Sequence, residues 1–292
     1  MKNRSRNKFR NLYPPQRIIM NFLPLLFFSM IGFSYSAHAQ FFKKTGKNID
    51  KKSGVNSTKV NSFSYTEQSE PLKIPTSASN YNWFTMGAKF YYKSITLEPS
   101  NSFQSELTVK NLYNEGNLIV SELEIKTSLN NVFVAKGSEY IKFKSSGDSI
   151  YLDFTTALKK SLLKLNPALS LNKLADTGFM SIPVKMVEGQ VLPDVNFSQE
   201  SGLDDEVILS TSLTNRKIER TEKITTPAGI FDCVKISGTR NNLITIKGVT
   251  KPSSATTIET IWLAPEVGIV KEEATSTKKK LNNIQYLTSF KK

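Results

Sequence analysis

From Asn80 onward apolar and polar residues alternate with a period of two, and no other feature of the chain limits its fold as tightly. Phe103, Ser105, Leu107 and Val109 alternate with Gln104, Glu106, Thr108 and Lys110; Ile119, Ser121, Leu123 and Ile125 alternate with Glu122, Glu124 and Lys126. Successive side chains of a strand point to opposite faces, so these runs are strands with one buried and one wet face. The pattern recurs at 89–97, 140–144, 149–154, 207–213, 217–225, 231–237, 243–248, 257–263, 269–275 and 284–290. Turn residues punctuate the runs: Asn114 to Asn117, Ser145 to Asp148, Pro227-Ala228-Gly229 and Pro265 to Gly268. More than ten short strands joined by tight turns predict a mainly β, meandering antiparallel sheet. The break is 155–175, where Ala157, Leu158, Leu162, Leu163, Leu165, Leu169 and Leu174 follow helical spacing. Pro167 divides that stretch, and a short helical lid over the concave face is expected there.

Residues 1–39 stand apart from this pattern. A basic stretch, Met1 to Arg17, leads into an apolar run, Ile18 to Tyr35, that ends in Ala37-His38-Ala39. This is the form of a secretory signal peptide, with cleavage expected between Ala39 and Gln40. Asn21, Pro24 and several serines interrupt the run, which is at the short end for a bilayer span, and no cysteine follows it to accept a lipid. The expected product is periplasmic or secreted, with no membrane span after cleavage. Residues 40–79, rich in Lys, Ser, Thr and Asn, read as a flexible polar lead, and 80–292 as a single β-rich domain.

Cleavage changes the chemistry available. Six of the 39 basic residues lie in 1–39 and none of the 25 acidic ones, so the net charge falls from +14 to +8. The surplus gathers in short clusters, Lys43-Lys44, Lys51-Lys52, Lys278 to Lys280 and Lys291-Lys292, which read as solvated tails and turns and not as a nucleic-acid footprint. The one histidine, His38, leaves with the signal. An imidazole-assisted Ser or Cys nucleophile and a histidine zinc site are thereby excluded from the mature chain. Cys233, the only cysteine, has no disulfide partner within the chain and sits among Phe231, Val234 and Ile236 as a small apolar strand residue.

Carboxylates remain as acid–base groups, in Asp204-Asp205-Glu206 and Glu272-Glu273. Strand neighbours point apart, so neither cluster converges on one substrate; the first suits a loop and the second a wet face. Convergence of carboxylates from distant strands is left open by sequence. No phosphate-cradling loop or calcium loop is present. The expectation is a non-enzymatic protein with no metal and no cofactor.

Four blocks carry a family resemblance over 83–290: WFTMGAKFYYKS (83–94), VEGQVLPDVNF (187–197), NRKIERTEKITTPAGIFDCVKIS (215–237) and IWLAPEVGIVKEE (261–273). Together they resemble the TapB family, relatives of the domain-of-unknown-function 3108 group of exported bacterial proteins. Gly189, Gln190, Leu192, Pro193 and Asp194 match one block, Thr226 to Phe231 a second and Trp262 to Lys271 a third. The resemblance implies an antiparallel half-barrel similar to the periplasmic lipoprotein-carrier fold, and it brings no functional residues with it. Two functional classes follow. In one, a binding or carrier module encloses an apolar ligand against Tyr92, Phe103, Leu107, Leu123 and Trp262 under the 155–175 lid. In the other, a structural or interaction module of the envelope fills that face with its own side chains and contacts another envelope protein or polymer.

Overall fold

The computed structural model describes residues 77–97, 100–129, 132–133, 139–153, 179–201, 207–246, 250, 252–277 and 280–292. The expected signal peptide, all but the last residues of the lead, the expected lid and the Asp204 to Glu206 cluster lie outside the described residues. Among the described residues thirteen strands form one antiparallel sheet. They are β1 (Lys89–Leu97), β2 (Ser100–Glu115), β3 (Leu118–Leu129), β4 (Val132–Phe133), β5 (Glu139–Ser145), β6 (Ser149–Asp153), β7 (Phe179–Pro183), β8 (Val195–Ser201), β9 (Val207–Thr226), β10 (Gly229–Ile246), β11 (Ser253–Ala264), β12 (Gly268–Ser276) and β13 (Leu281–Lys291). Their order across the sheet is β7, β6, β5, β3, β2, β1, β13, β12, β11, β10, β9, β8, with β4 beside β3. The meander read from the alternation forms, and β13 returns to pair with β1, so the last strand joins the two halves.

Alternation places one side chain of each pair inside. β1 buries Phe90, Tyr92, Ser94 and Thr96 and leaves the residues between them partly exposed. Leu107, Val109, Leu123, Ile125, Ile141, Phe143, Leu152, Met180, Ile218, Ile236, Leu263 and Leu287 continue the same core around the sheet. On the opposite face of β2, β3 and β5, Lys110 and Lys126 meet Glu124, and Lys142 meets Glu122. Such pairs on the outer face, each open to solvent on its lysine side, contribute about 1 kcal/mol each, so burial of the inner face carries the stability.

The sheet's two edges, β7 and β8, are consecutive in the chain, and the segment 184–194 between them ties them together. Its N–H groups at Gly189 and Leu192 donate to Ile218 O and Arg216 O, and Ile218 N–H donates to Gln190 O. Arg216 completes the tie: it is 2% exposed, and its guanidinium donates to Pro193 O at 2.9 Å and across the gap to Ser181 O of β7 at 3.0 Å. The result is a nearly closed barrel. A bulge aims this arginine. Asn215 takes φ 53, the ladder with β10 shifts register there, and Gly238 stands opposite, where a Cβ would come within 3.2 Å of Arg216 Cγ.

The same bulges explain where sequence and structure part. The runs 207–213 and 217–225 are one strand, β9, and 231–237 and 243–248 fall mostly on one strand, β10, because each bulge breaks the alternation without breaking the ladder. The turn between β9 and β10 pairs Thr226 with Gly229, which takes φ 139 with only ordinary contacts around its Cα. Gly229→Val is expected to cost about 1–3 kcal/mol through that backbone alone, and Ala228→Val far less. Thermal melts of the two variants check this: an equal or larger loss at Ala228 would contradict it.

Candidate functional site

Hairpins alternate between the two ends of the barrel, and the ends differ in chemistry. One end carries the 115–118, 145–149, 226–229 and 264–268 turns, and there the chain closes its own barrel. Two short 3-10 turns, Ala78–Asn80 and Asn82–Phe84, bring Tyr81 and Trp83 into the core, both fully buried. Trp83 stacks on Phe143 at 4.5 Å and beside Tyr81 at 5.7 Å between ring centroids. Ser121 Oγ donates to Trp83 O, Asn82 N–H donates to Glu266 O and Ala78 N–H donates to Gly147 O, so three separate elements hold the plug. Gly268, at φ 116, leaves room for the indole: a Cβ there would lie 2.5 Å from Trp83 Cε2.

Toward the other end the inner face becomes polar. Cross-strand register defines the rows. One runs Ile236, Ile261, Glu272, Gln285, Ser94, Phe103; the next runs Gly238, Glu259, Ala274, Asn283, Thr96, Asn101; beyond them Arg240 pairs with Thr257. Arg240, Glu259, Glu272, Gln285 and Asn283 are each less than a tenth exposed. Ser94 Oγ donates to Gln285 Oε1 at 2.6 Å, Gln285 Nε2 donates to Glu272 Oε2 at 3.2 Å, and Arg240 Nη2 donates to Glu259 Oε2. Burial of a polar side chain is costly when hydrogen-bonding capacity is left open. Here Glu259 Oε1 and both amide atoms of Asn283, which is 1% exposed, have no partner. Two more unpartnered atoms, the Tyr81 hydroxyl and Asn82 Nδ2, belong to the plug.

Two carboxylates share one guanidinium in this pole. Burial raises Glu259 to about 7, against the pull of Arg240, and raises Glu272 to about 8, with Glu259's charge adding to burial. The Tyr92 hydroxyl, which donates to Ile269 O at 2.9 Å, is pushed up by burial and by Glu272 and stays protonated. Both carboxyl groups hold protons in the folded state at pH values where the unfolded chain, with the ordinary 4.5, has released them. The contribution of the pair is therefore fully present in acid and is lost as pH rises through 7 to 8. Unfolding free energies between pH 5 and 9 should fall over that window in the wild type and fall less in Glu272→Gln; parallel curves would contradict it.

The sequence expectations are met unevenly. Tyr92, Phe103, Leu107 and Leu123 all lie on the inner face as expected. Trp262 does not: its ladder partners are Lys235 and Lys271, so it faces away from Leu263 and Glu272, with Lys271 Nζ 4.5 Å and Lys235 Nζ 5.5 Å from its ring centroid. Its indole N–H donates to Glu222 Oε1. Glu272 is the second correction, since it is buried on the inner face and not wet, while Glu273 on the opposite face pairs with Lys271. The two neighbours do point apart. The convergence that sequence left open is between Glu259 and Glu272, on adjacent strands. Cys233 is fully buried in β10, its Sγ donates to Phe231 O, and burial pushes its thiol pKa up, so no thiolate is presented. One signal could have found part of the pole: in 234–240 and 259–263 a charged side chain falls on the parity that is otherwise apolar.

The four sequence blocks now have places in the barrel. WFTMGAKFYYKS begins with the plug, the Gly189 to Asp194 block is the tie between the edges, the Thr226 to Phe231 block is the β9–β10 turn, and the Trp262 to Lys271 block holds the glycine beneath Trp83. The DUF3108-like family matches residues 85–287, from just after the plug into β13. The chain belongs to this family. Two solved structures share the DUF3108-like chain's fold. One is a protein taken to be a lipoprotein from Parabacteroides distasonis, at TM-score 0.53 and 19% identity, covering 71% of this chain and 96% of that one. The other is a protein taken to be exported, with a YmcC-like fold, from Bacteroides fragilis, at TM-score 0.51 and 17% identity, covering 71% and 97%. No curated protein matches the DUF3108-like chain by sequence. Among the described residues no helix is long and apolar enough to cross a membrane, and no cluster of metal-ligating side chains occurs.

Proposed function

We propose that this protein is an exported envelope binding module whose barrel interior receives a small amphipathic molecule. The observation that carries the reading is the buried polar pole: Glu259 Oε1 and the whole Asn283 amide are closed from water with nothing to bond, on the inner face of an otherwise apolar barrel. An unsatisfied buried polar group costs about 1–3 kcal/mol, and a bound molecule with matching polar atoms removes that cost. Export is supported by the Ala37-His38-Ala39 site and by the exported or lipoprotein character ascribed to the two proteins of like fold. Edman sequencing of the natively exported protein is expected to begin at Gln40; retention of Met1 would contradict export by cleavage.

Binding is tested by thermal shift at pH 8 with ten-carbon chains ending in an amine, an alcohol, a carboxylate or an amide. At least one head group is expected to raise Tm saturably, by mass action on the folded state. No shift with any of the four would overturn the binding reading. A second reading, a structural module with a self-filled core, is favoured by the Trp83 plug, which fills the opposite end of the same barrel with the chain's own side chains. That reading predicts no shift with any head group.

A further inference from the structure

The unpartnered atoms of the polar pole lie around one small side chain. Ala274, fully buried, stands between Glu259 and Asn283 in the ladder, and Glu272 precedes it by two residues on the same face. Three neighbouring positions around its methyl therefore offer carboxylate, carboxylate and amide oxygens. Arg240 already donates to Glu259 Oε2, and Gln285 already donates to Glu272 Oε2. What stays open is acceptor capacity at Glu259 Oε1 and Asn283 Oδ1, beside the donor of Asn283 Nδ2, and one negative charge when both glutamates are ionised against a single guanidinium.

We propose that this pole binds a primary ammonium group carried on an apolar body, seated over Ala274 between Glu259, Glu272 and Asn283. The proposal rests on the reading of the interior as a binding site. An ammonium has three donors and no acceptor, which suits two carboxylates and an amide oxygen. A carboxylate or phosphate head would add a second or third negative charge to a buried pair that Arg240 alone opposes. An alcohol would satisfy one acceptor and leave the charge unbalanced. With no amine bound, a proton balances the charge, held by burial on Glu259 or Glu272. The groups that face this proton are Arg240 from β10, the partner glutamate from β11 or β12, Gln285 from β13 and Tyr92 from β1, and Arg240 is the one cation among them. Binding an ammonium replaces that proton, which leaves to solvent, so the net charge of the pole is unchanged by the exchange.

Calorimetry of the full exported chain with decylamine, decanol and decanoate, each below its micellar concentration, tests this. Decylamine is expected to bind at least tenfold more tightly than decanol or decanoate. At pH 7.5, titrations in buffers of different ionisation enthalpy should show release of about one proton per amine, falling toward zero well above pH 8, and amine affinity should rise over the same interval. Asn283→Leu, which removes an unpartnered buried amide and is expected to fold at least as stably as the wild type, should weaken decylamine at least tenfold. Decanol binding as tightly as decylamine, or amine binding without proton release, would overturn the ammonium assignment and leave the interior a binding site for neutral groups. Failure of all three probes, with folded protein, would overturn the binding reading itself.

Discussion

Gly268→Val is expected to lower the stability of the barrel by about 2–6 kcal/mol. Two independent costs combine. A β-branched residue at φ 116 is strained wherever it occurs, by about 1–3 kcal/mol. Its Cβ would also lie 2.5–2.7 Å from three atoms of the Trp83 indole, which is held by Phe143, Tyr81 and the Ser121 hydrogen bond and has no free direction to move. Displacing a packed ring costs about 1–3 kcal/mol more. The contrast with Gly229→Val is informative, since that position has the strain without the contact. Urea unfolding of Gly268→Val, Trp83→Leu and the double variant separates the terms. The double variant should be more stable than the sum of the two losses by about 1–2 kcal/mol, because removing the indole removes the clash. Strict additivity would mean that the plug does not rest on Gly268.

Arg216→Met is expected to cost about 3 kcal/mol while keeping the buried stem. The guanidinium is the one group that donates to Ser181 O on one edge of the sheet and to Pro193 O beside the other. Burial pulls its pKa down to about 10 against the field of Asp194, so it remains charged at neutral pH and both bonds are charge-assisted. Without it two carbonyls, of half-buried Ser181 and exposed Pro193, lose charge-assisted hydrogen bonds worth about 1.5–3 kcal/mol each, offset in part by no longer desolvating a charge. The damage should be local. Hydrogen exchange is expected to quicken at Gly189, Leu192 and Ile218, whose N–H groups make the tie, and to stay slow at β1 and β13. Arg216→Lys should behave nearly as badly, since a single ammonium cannot fork to carbonyls on two edges. Unchanged stability and uniform exchange would mean that the barrel closes without this residue.

The strands were legible because alternation is a local property. β1 matches its sequence run from end to end, and the turns at Gly116, Gly147, Gly229 and Gly268 all take positive φ where turn chemistry placed them. Long-range geometry was not legible in the same way. Nothing near Asn215 announces that a bulge there aims Arg216 across a gap to Ser181, because the partner is supplied by a strand that closes the sheet from the other side. The pole was hidden for the same reason. Arg240, Glu259, Glu272 and Asn283 come from four strands, each inside a polar stretch that reads as surface, and only the ladder register brings them to one face. Glu272 in particular sits in Lys271-Glu272-Glu273, where charge on both parities conceals which face is buried. Trp262 misled in the opposite sense: it is buried, as an aromatic in an alternating run reads, but on the face of Lys235 and Lys271 and not on the inner face.

The polar pole is proposed to hold a small molecule, and the most direct test is to ask what the purified protein has bound. Wild-type protein and Asn283→Leu, purified from the native envelope without detergent, are extracted with organic solvent and compared by mass spectrometry. The account predicts a small molecule present at about one per chain in the wild type and depleted at least fivefold in Asn283→Leu. Equal, empty extracts from both proteins, each folded by circular dichroism, would contradict it and leave the barrel a self-filled structural module.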